Sequence, residues 1–164
     1  MNAVGRFIVL LGLWVPAVVF GLDGLHQIRS DLVSGGQPDQ AALEAFAESG
    51  GTLVIDLRMP DEDRGLDEAE VVKALGLQYI NLPVAGAEDI TAENAAALHR
   101  VLAAARGPVL LHCKSGNRVG ALLALDAVAH GQSREEALEL ARQAGMNRLE
   151  PVVRERLGCS AEAC

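Results

Sequence analysis

The sequence predicts an α/β fold: a single compact domain in which a central, mainly parallel sheet of about four strands is flanked by helices. Two observations predict this fold. Short apolar segments alternate with longer segments of helical periodicity, and short turns join them. One apolar segment, residues 108–111, has no polar position, as expected of a strand covered on both faces. The 164 residues, 50 % of them hydrophobic, are enough for one core.

The first 21 residues differ from the rest of the chain. Residues 7–21 form an almost unbroken apolar run behind Arg6, and Pro16 interrupts it. The run is shorter than the ~20 residues that span a bilayer, and small residues near Gly21 offer a cleavage site. We therefore expect a signal peptide over residues 1–21, with an uncleaved membrane anchor as the alternative. Either would place the folded domain, residues 22–164, in the periplasm or another extracytoplasmic compartment, with membrane contact only through an uncleaved N-terminus.

The elements of the domain follow from apolar periodicity and from the glycines and prolines between segments. Residues 25–37 predict a first strand and a turn, and three further strands are expected at 52–57, 78–84 and 108–111. Helices are expected at 39–49, 67–75, 91–105, 119–130, 133–144 and 148–157. The capping box Ser133–Glu136 supports the fifth helix. The charged segment 60–66 is interpreted as a solvated loop.

The most informative stretch runs from the strand at 108–111 through a polar loop, which ends with Arg118, into a helix from Val119. A loop in this position directs several backbone N–H groups into one concavity, which together with the helix dipole favours an anion. The same environment favours the thiolate of a cysteine such as Cys113. Arg118 adds a planar fork of donors. A nucleophile and an anion clamp in one pocket indicate transfer of a phosphoryl or sulfur group.

Simpler interpretations exist for both residues. Cys113 would be a small buried hydrophobe, and Arg118 a surface or capping arginine. The polar residues that separate them favour the reactive interpretation. We therefore predict Cys113 and Arg118 as catalytic, and we predict four substrate-binding residues between them: Lys114, Ser115, Gly116 and Asn117.

Four motifs carry a family resemblance: His112-Cys113-x-x-Gly116, Ser34–Pro38, Val54–Arg58 and Tyr79–Pro83. In this order they resemble the cysteine-based tyrosine and dual-specificity phosphatases, in particular the phosphatase-like domain found fused to beta-lactamase-like hydrolases (the domain of unknown function 442 group). The resemblance covers roughly residues 25–157. It implies the three-layer phosphatase fold and hydrolysis of phosphate monoesters, including phosphotyrosine-type esters, through a phospho-cysteine intermediate.

The resemblance also implies roles for residues outside the loop. Asp89 is the candidate general acid and Glu88 its substitute, although Asp89 would equally complement the dipole of the helix that begins at Thr91. His112 would make a hydrogen bond that orients the loop; as a single residue it is more often a satisfied core histidine. Arg58 would lie near the pocket, but a salt bridge with Asp61, Glu62 or Asp63 is the favoured alternative.

The loop departs from the phosphatase pattern. Four residues separate Cys113 from Arg118, one fewer than in the phosphatases and the same number as in the rhodanese sulfurtransferase loop. Val119 stands where many phosphatases have a Ser or Thr. Two alternatives to a phosphatase therefore stay open: a sulfurtransferase that uses a Cys113 persulfide, and a catalytically weak module that binds oxyanions or phosphopeptides.

Composition and cysteine placement set further limits. The net charge of −8 argues against a nucleic-acid partner and is compatible with an anionic substrate at one basic pocket. The four histidines show no metal-ligand spacing, so neither a metal nor another cofactor is expected. Cys159 and Cys164 would form a disulfide in an oxidising compartment, remain unpaired, or resolve an oxidised Cys113; the sequence leaves these possibilities open.

Overall fold

The computed structural model describes residues 24–160 and 164, and it has a five-stranded sheet of order β1-β2-β5-β3-β4. The strands are β1 Leu25–Arg29, β2 Leu32–Gly35, β3 Leu53–Asp56, β4 Gln78–Asn81 and β5 Val109–His112. Strands β2, β5, β3 and β4 run parallel, and β1 pairs antiparallel with β2. The predicted α/β fold with a mainly parallel sheet is confirmed.

The sheet has one strand more than the sequence predicted, because residues 25–37 form a hairpin and not a single strand. The chain turns at Ser30 and Asp31, where the Asp31 carboxylate accepts a hydrogen bond from Arg29 Nε at 2.6 Å. The other turns were predicted from glycine and proline residues. This turn contains neither, so the sequence carried no signal for it.

Six helices surround the sheet within the described residues: α1 Gln40–Glu48, α2 Glu68–Ala74, α3 Ala92–Ala104, α4 Asn117–Ala129, α5 Arg134–Gln143 and α6 Glu150–Arg156. Their bounds agree with the predicted ones to within two residues. Four of them begin behind a side-chain cap, provided by Asp39, Asp67, Thr91 and Ser133. None of the helices described here is both long and apolar enough to cross a membrane.

Alternating side chains of the sheet bury two separate cores. Ile55 and Leu111 face the larger core, which contains α3 and α4, whereas Val54 and Leu110 face the smaller one beneath α1 and α2. This alternation produces three layers of helix, sheet and helix. The predicted leader at residues 1–21 lies outside the described residues.

Helix α4 is the most deeply buried helix and carries the central loop at its N-terminus. Ten of its residues are buried, because α3 packs against one side of it while α5 and α6 pack against others. Gly120 permits the approach of α5: a Cβ atom there would lie 2.3 Å from the Ala141 carbonyl oxygen. The packing of α4 therefore fixes where the loop after β5 must turn.

Candidate active site

The loop between β5 and α4 lies at the carboxyl edge of the sheet and is supported by the chain that leaves β2. Cys113 N donates to Gly35 O, and Gln37 N donates to Lys114 O, each at 3.3 Å. Gly116 has a φ of 80° and precedes α4 without a side-chain cap. The first N–H groups of α4 therefore lack both a cap and an intrahelical acceptor, and they are free to bind an anion.

Cys113 and Arg118 are buried at the two ends of this loop. Cys113 is 1 % exposed and Arg118 is 8 % exposed. The pKa of the Arg118 guanidinium is raised, first by its hydrogen bond to Glu62 and to a smaller extent by electrostatic interaction with Cys113. The thiol is thus within electrostatic reach of the guanidinium.

Glu62 holds one edge of the Arg118 guanidinium. Arg118 Nη1 donates to Glu62 Oε1 at 2.6 Å and to Val84 O at 2.8 Å, and Nη2 donates to Glu62 Oε2 at 2.9 Å. The hydrogen bond from Arg118 is the main reason that the pKa of Glu62 is lowered to about 2. Glu62 therefore occupies the edge of the guanidinium formed by Nη1 and Nη2, and it does not contact the edge that carries Nε.

The interpretation of residues 60–66 as a solvated loop is wrong for two of its charged residues. The side chains of Glu62 and Arg64 are only 24 % and 12 % exposed. Each of them compensates a buried charge of opposite sign, which would otherwise be costly to bury. Glu62 pairs with Arg118, and Arg64 pairs with the fully buried Asp56 at 2.7 Å.

The predicted salt bridge of Arg58 is confirmed. Arg58 is 3 % exposed, and its Nε lies 3.1 Å from Glu62 Oε2. Its remaining nitrogens donate to Gln37 Oε1 and to Asp63 O, each at 2.6 Å. Glu62 therefore joins two guanidinium groups, and through them it connects the loop after β3 to the loop after β5.

A buried polar cluster lies directly under the loop. His112 is fully buried, with Nε2 at 2.8 Å from Glu68 Oε1. Tyr79 donates to Asp56 Oδ2 at 2.8 Å, and burial together with this bond raises the pKa of Tyr79. Asp56, Glu68 and His112 are metal-ligand types within reach of one another. The Arg64 guanidinium lies 2.7 Å from Asp56 Oδ2 and 3.7 Å from Glu68 Oε2, so it offsets part of the negative charge of this cluster.

The four predicted substrate-binding residues are placed differently from one another. Lys114 and Ser115 are exposed at the mouth of the loop, and Gly116 is buried. The Asn117 side chain bonds in two directions: its Oδ1 accepts from the N–H groups of Asn147, Arg148 and Leu149 at 2.7–3.3 Å, and its Nδ2 donates to Ser115 Oγ at 3.3 Å. That side chain fixes the start of α6 and supports the loop, while the backbone N–H of Asn117 stays available to an anion.

Asp89 belongs to a short 3-10 turn, Ala87–Asp89, between β4 and α3. Its Oδ2 accepts from Ala85 N at 2.8 Å, and Asn94 Nδ2 donates to its carbonyl oxygen at 2.8 Å. The side-chain cap of α3 is Thr91 and not Asp89. The carboxylate is half-buried and folded onto its own loop, and its role as the general acid stays a prediction.

Comparison with known proteins connects this geometry to phosphatases. The family described as "Beta-lactamase hydrolase-like protein, phosphatase-like domain" matches residues 24–130. A beta-lactamase hydrolase-like protein of Xylella fastidiosa is 35 % identical over 116 residues, which cover 68 % of this chain. The chain spans only 27 % of the length of that relative.

Two solved structures are similar in fold. A candidate phosphatase from Neisseria meningitidis superimposes with a TM-score of 0.71 at 24 % identity, over 81 % of this chain and 96 % of that one. P. aeruginosa TpbA in complex with pTyr superimposes with a TM-score of 0.67 at 20 % identity, over 85 % of this chain and 86 % of that one. At these identities the similarity establishes the fold.

Proposed function

The chain belongs to the family of phosphatase-like domains of beta-lactamase hydrolase-like proteins, and we propose that it is a cysteine-dependent phosphatase acting on phosphate monoesters. The observation that carries the proposal is that Cys113 and Arg118 are both buried at the two ends of the short loop that leads into the N-terminus of α4. A thiol, a guanidinium and uncapped amides converge where a phosphoryl group would bind. Phosphotyrosine-type esters are among the expected substrates, since one structural neighbour is TpbA in complex with pTyr.

In the proposed reaction the Cys113 thiolate attacks phosphorus, so that an S–P bond forms while the ester P–O bond breaks. Arg118 and the loop amides hold the nonbridging oxygens as negative charge develops on them. Asp89 donates a proton to the departing alkoxide or phenoxide. It then accepts a proton from the water that cleaves the S–P bond and releases inorganic phosphate.

The test is turnover of an aryl phosphate by the purified chain. Cys113→Ser should abolish phosphate release, by on the order of a thousandfold or more. Arg118→Lys should also be strongly impaired, because lysine keeps the charge but lacks the planar fork. The double variant Cys159→Ser/Cys164→Ser, which removes sulfur elsewhere, should keep its activity. Phosphate release that survives Cys113→Ser contradicts the mechanism.

The loop length favours one other candidate, a sulfurtransferase. A cradle with four residues between Cys113 and Arg118 has fewer N–H donors than one with five, and it suits a persulfide better than a tetrahedral phosphate. Incubation with thiosulfate and cyanide separates the two functions. Thiocyanate formation without phosphate release supports sulfur transfer, whereas saturable oxyanion binding without either reaction supports a binding module.

We also propose that the domain works outside the cytoplasm. The support is the apolar run at residues 7–21 together with the disulfide between Cys159 and Cys164, a bond typical of oxidising compartments. Mass analysis of the protein isolated from its own cells tests both features. Free thiols at Cys159 and Cys164 would contradict the proposal, whereas a mass that includes residues 1–21 would indicate a membrane anchor in place of a cleaved signal peptide.

A further inference from the structure

Two histidines and an aspartate from neighbouring helices meet far from the cysteine loop. His99 lies on α3, Asp126 lies near the end of α4, and His130 is the C-cap of α4. The Nδ1 atoms of both histidines lie 3.0 Å from Asp126 Oδ1. The imidazole rings are stacked, with centroids 3.9 Å apart and planes inclined by 15°. Helix α4 is about 20 Å long, so this cluster and Cys113 lie at opposite ends of it.

We propose that His99, Asp126 and His130 bind a divalent transition-metal ion, with zinc as the expected occupant. Two imidazoles and one carboxylate are ligands that zinc takes in proteins, and water would complete a tetrahedral shell. Zinc bonds of about 2.0–2.1 Å at angles between 90° and 110° place ligand atoms about 2.9–3.4 Å apart. The observed nitrogen-to-oxygen separations of 3.0 Å lie within this range.

The hydrogen bonding of Asp126 supports the proposal independently. Asp126 Oδ1 is buried and has no hydrogen bond of acceptable geometry within the described part of the chain, although two ring nitrogens lie 3.0 Å from it. An uncompensated carboxylate oxygen in this position costs free energy, which a cation would offset. The two histidine nitrogens thus lie at a distance from Asp126 Oδ1 that suits ligands of one metal ion, and neither of them makes a well-oriented hydrogen bond to that oxygen.

One hydrogen bond has to be exchanged when the ion binds. His130 Nδ1 lies 2.8 Å from the backbone oxygen of Asp126, and that contact needs a proton on Nδ1 which a bound metal would displace. The His130 ring must also turn out of its stack with His99, because a metal lies in the plane of each imidazole that binds it and near-parallel rings do not share such a point. The ring has room to turn, because the His130 side chain is 52 % exposed. The His99 side chain is 41 % exposed, so the ion has direct access from solvent. Once bound, it would tie α3 to α4.

The test is titration of the untagged full chain with zinc chloride, followed by calorimetry. All proteins carry Cys113→Ser, so that the thiol does not bind zinc. The parent should bind one equivalent. His99→Ala and His130→Ala should each weaken binding at least tenfold, and Asp126→Asn should do the same. His26→Ala, which removes an exposed histidine of β1, should leave the affinity unchanged.

Thermal unfolding supplies a second measurement and a folding control. Without zinc, His99→Ala and His130→Ala should melt close to the parent, since both side chains are substantially exposed. With excess zinc the parent and His26→Ala should melt at a higher temperature, and the two ligand variants should not. The proposal is overturned if the parent binds no zinc, or if the ligand variants retain its affinity.

Discussion

Replacing Glu62 tests how much the ion pair between Glu62 and Arg118 stabilises the folded protein. Its carboxylate accepts from Arg118 at 2.6 and 2.9 Å and lies 3.1 Å from Arg58 Nε. These contacts lower its pKa from 4.5 to about 2, with the Arg118 hydrogen bond as the largest cause. Glu62→Gln keeps the shape of the side chain and removes its charge.

The expected magnitude follows from linkage. A difference between 4.5 and about 2 corresponds to about 3 kcal/mol of preference for the ionised form in the folded protein. Glutamine retains one acceptor oxygen, so we expect Glu62→Gln to lower the free energy of unfolding by about 2–3 kcal/mol at pH 7.

The effect of Glu62→Gln on the free energy of unfolding should depend on pH. Because the folded-state pKa is depressed, the contribution of Glu62 is fully present above about pH 5 and is lost as pH falls through 4.5 towards 2. A protonated Glu62 resembles glutamine. The stability gap between wild type and variant should therefore be widest near pH 7 and should close as the pH approaches 2, while all other titrating groups cancel in the comparison.

The assay is urea unfolding of both proteins at a series of pH values from 7 to 3. Glu135→Gln is the matched control, since Glu135 is exposed in the first turn of α5. It should change the unfolding free energy little at any pH. A gap between wild type and Glu62→Gln that stays constant from pH 7 to pH 3, or a gap no larger than that of the control, would refute the reasoning.

Three further predictions concern packing, loop support and catalysis. Gly120→Ala should cost about 1–3 kcal/mol in urea unfolding, because its Cβ would lie 2.3 Å from the Ala141 oxygen, whereas Gly86→Ala, with open space around it, should cost little. Asn117→Ala should cost about 2–3 kcal/mol, since three N–H groups lose their acceptor, and Asn117→Asp should restore most of that stability. If Asp89 is the general acid, Asp89→Asn should lower kcat by about 10²–10⁴ for an alkyl phosphate and far less for an aryl phosphate with a good leaving group; equal losses would contradict that role.

The sequence predicted the fold well where local chemistry decides the structure. Helices α1, α2, α3 and α5 begin behind Asp or Thr or Ser side chains that cap them, so their starts were visible in the sequence. The loop after β5 was also visible, because nucleophile, glycine and arginine lie within six consecutive positions, 113–118.

Contacts between distant segments were not predictable in this way. Nothing in the charged segment 60–66 distinguishes Glu62 from its exposed neighbour Asp61, and only the position of Arg118 in space selects it. The cluster of His99 with Asp126 and His130 depends on the packing of α3 against α4, so linear spacing gave no sign of a metal site. In both cases the interacting residues lie on different secondary-structure elements, so the contact depends on how those elements pack in the tertiary structure.

The short loop between Cys113 and Arg118 is held by close contacts with the chain on both sides of it. On one side, Gly36 pairs with Ser115, and Gln37 N donates to Lys114 O. On the other side, Gly116 lies so close to Gly145 that a Cβ on either residue would be 3.0–3.1 Å from the other's Cα.

An additional residue between Cys113 and Arg118 would have to break one of these contacts or displace α4, ten of whose residues are buried. The contacts with the β2 exit and with the segment after α5 therefore match a loop of four residues. The choice between phosphoryl and sulfur transfer depends on how an anion fits this short loop, with Arg118 held in place by Glu62.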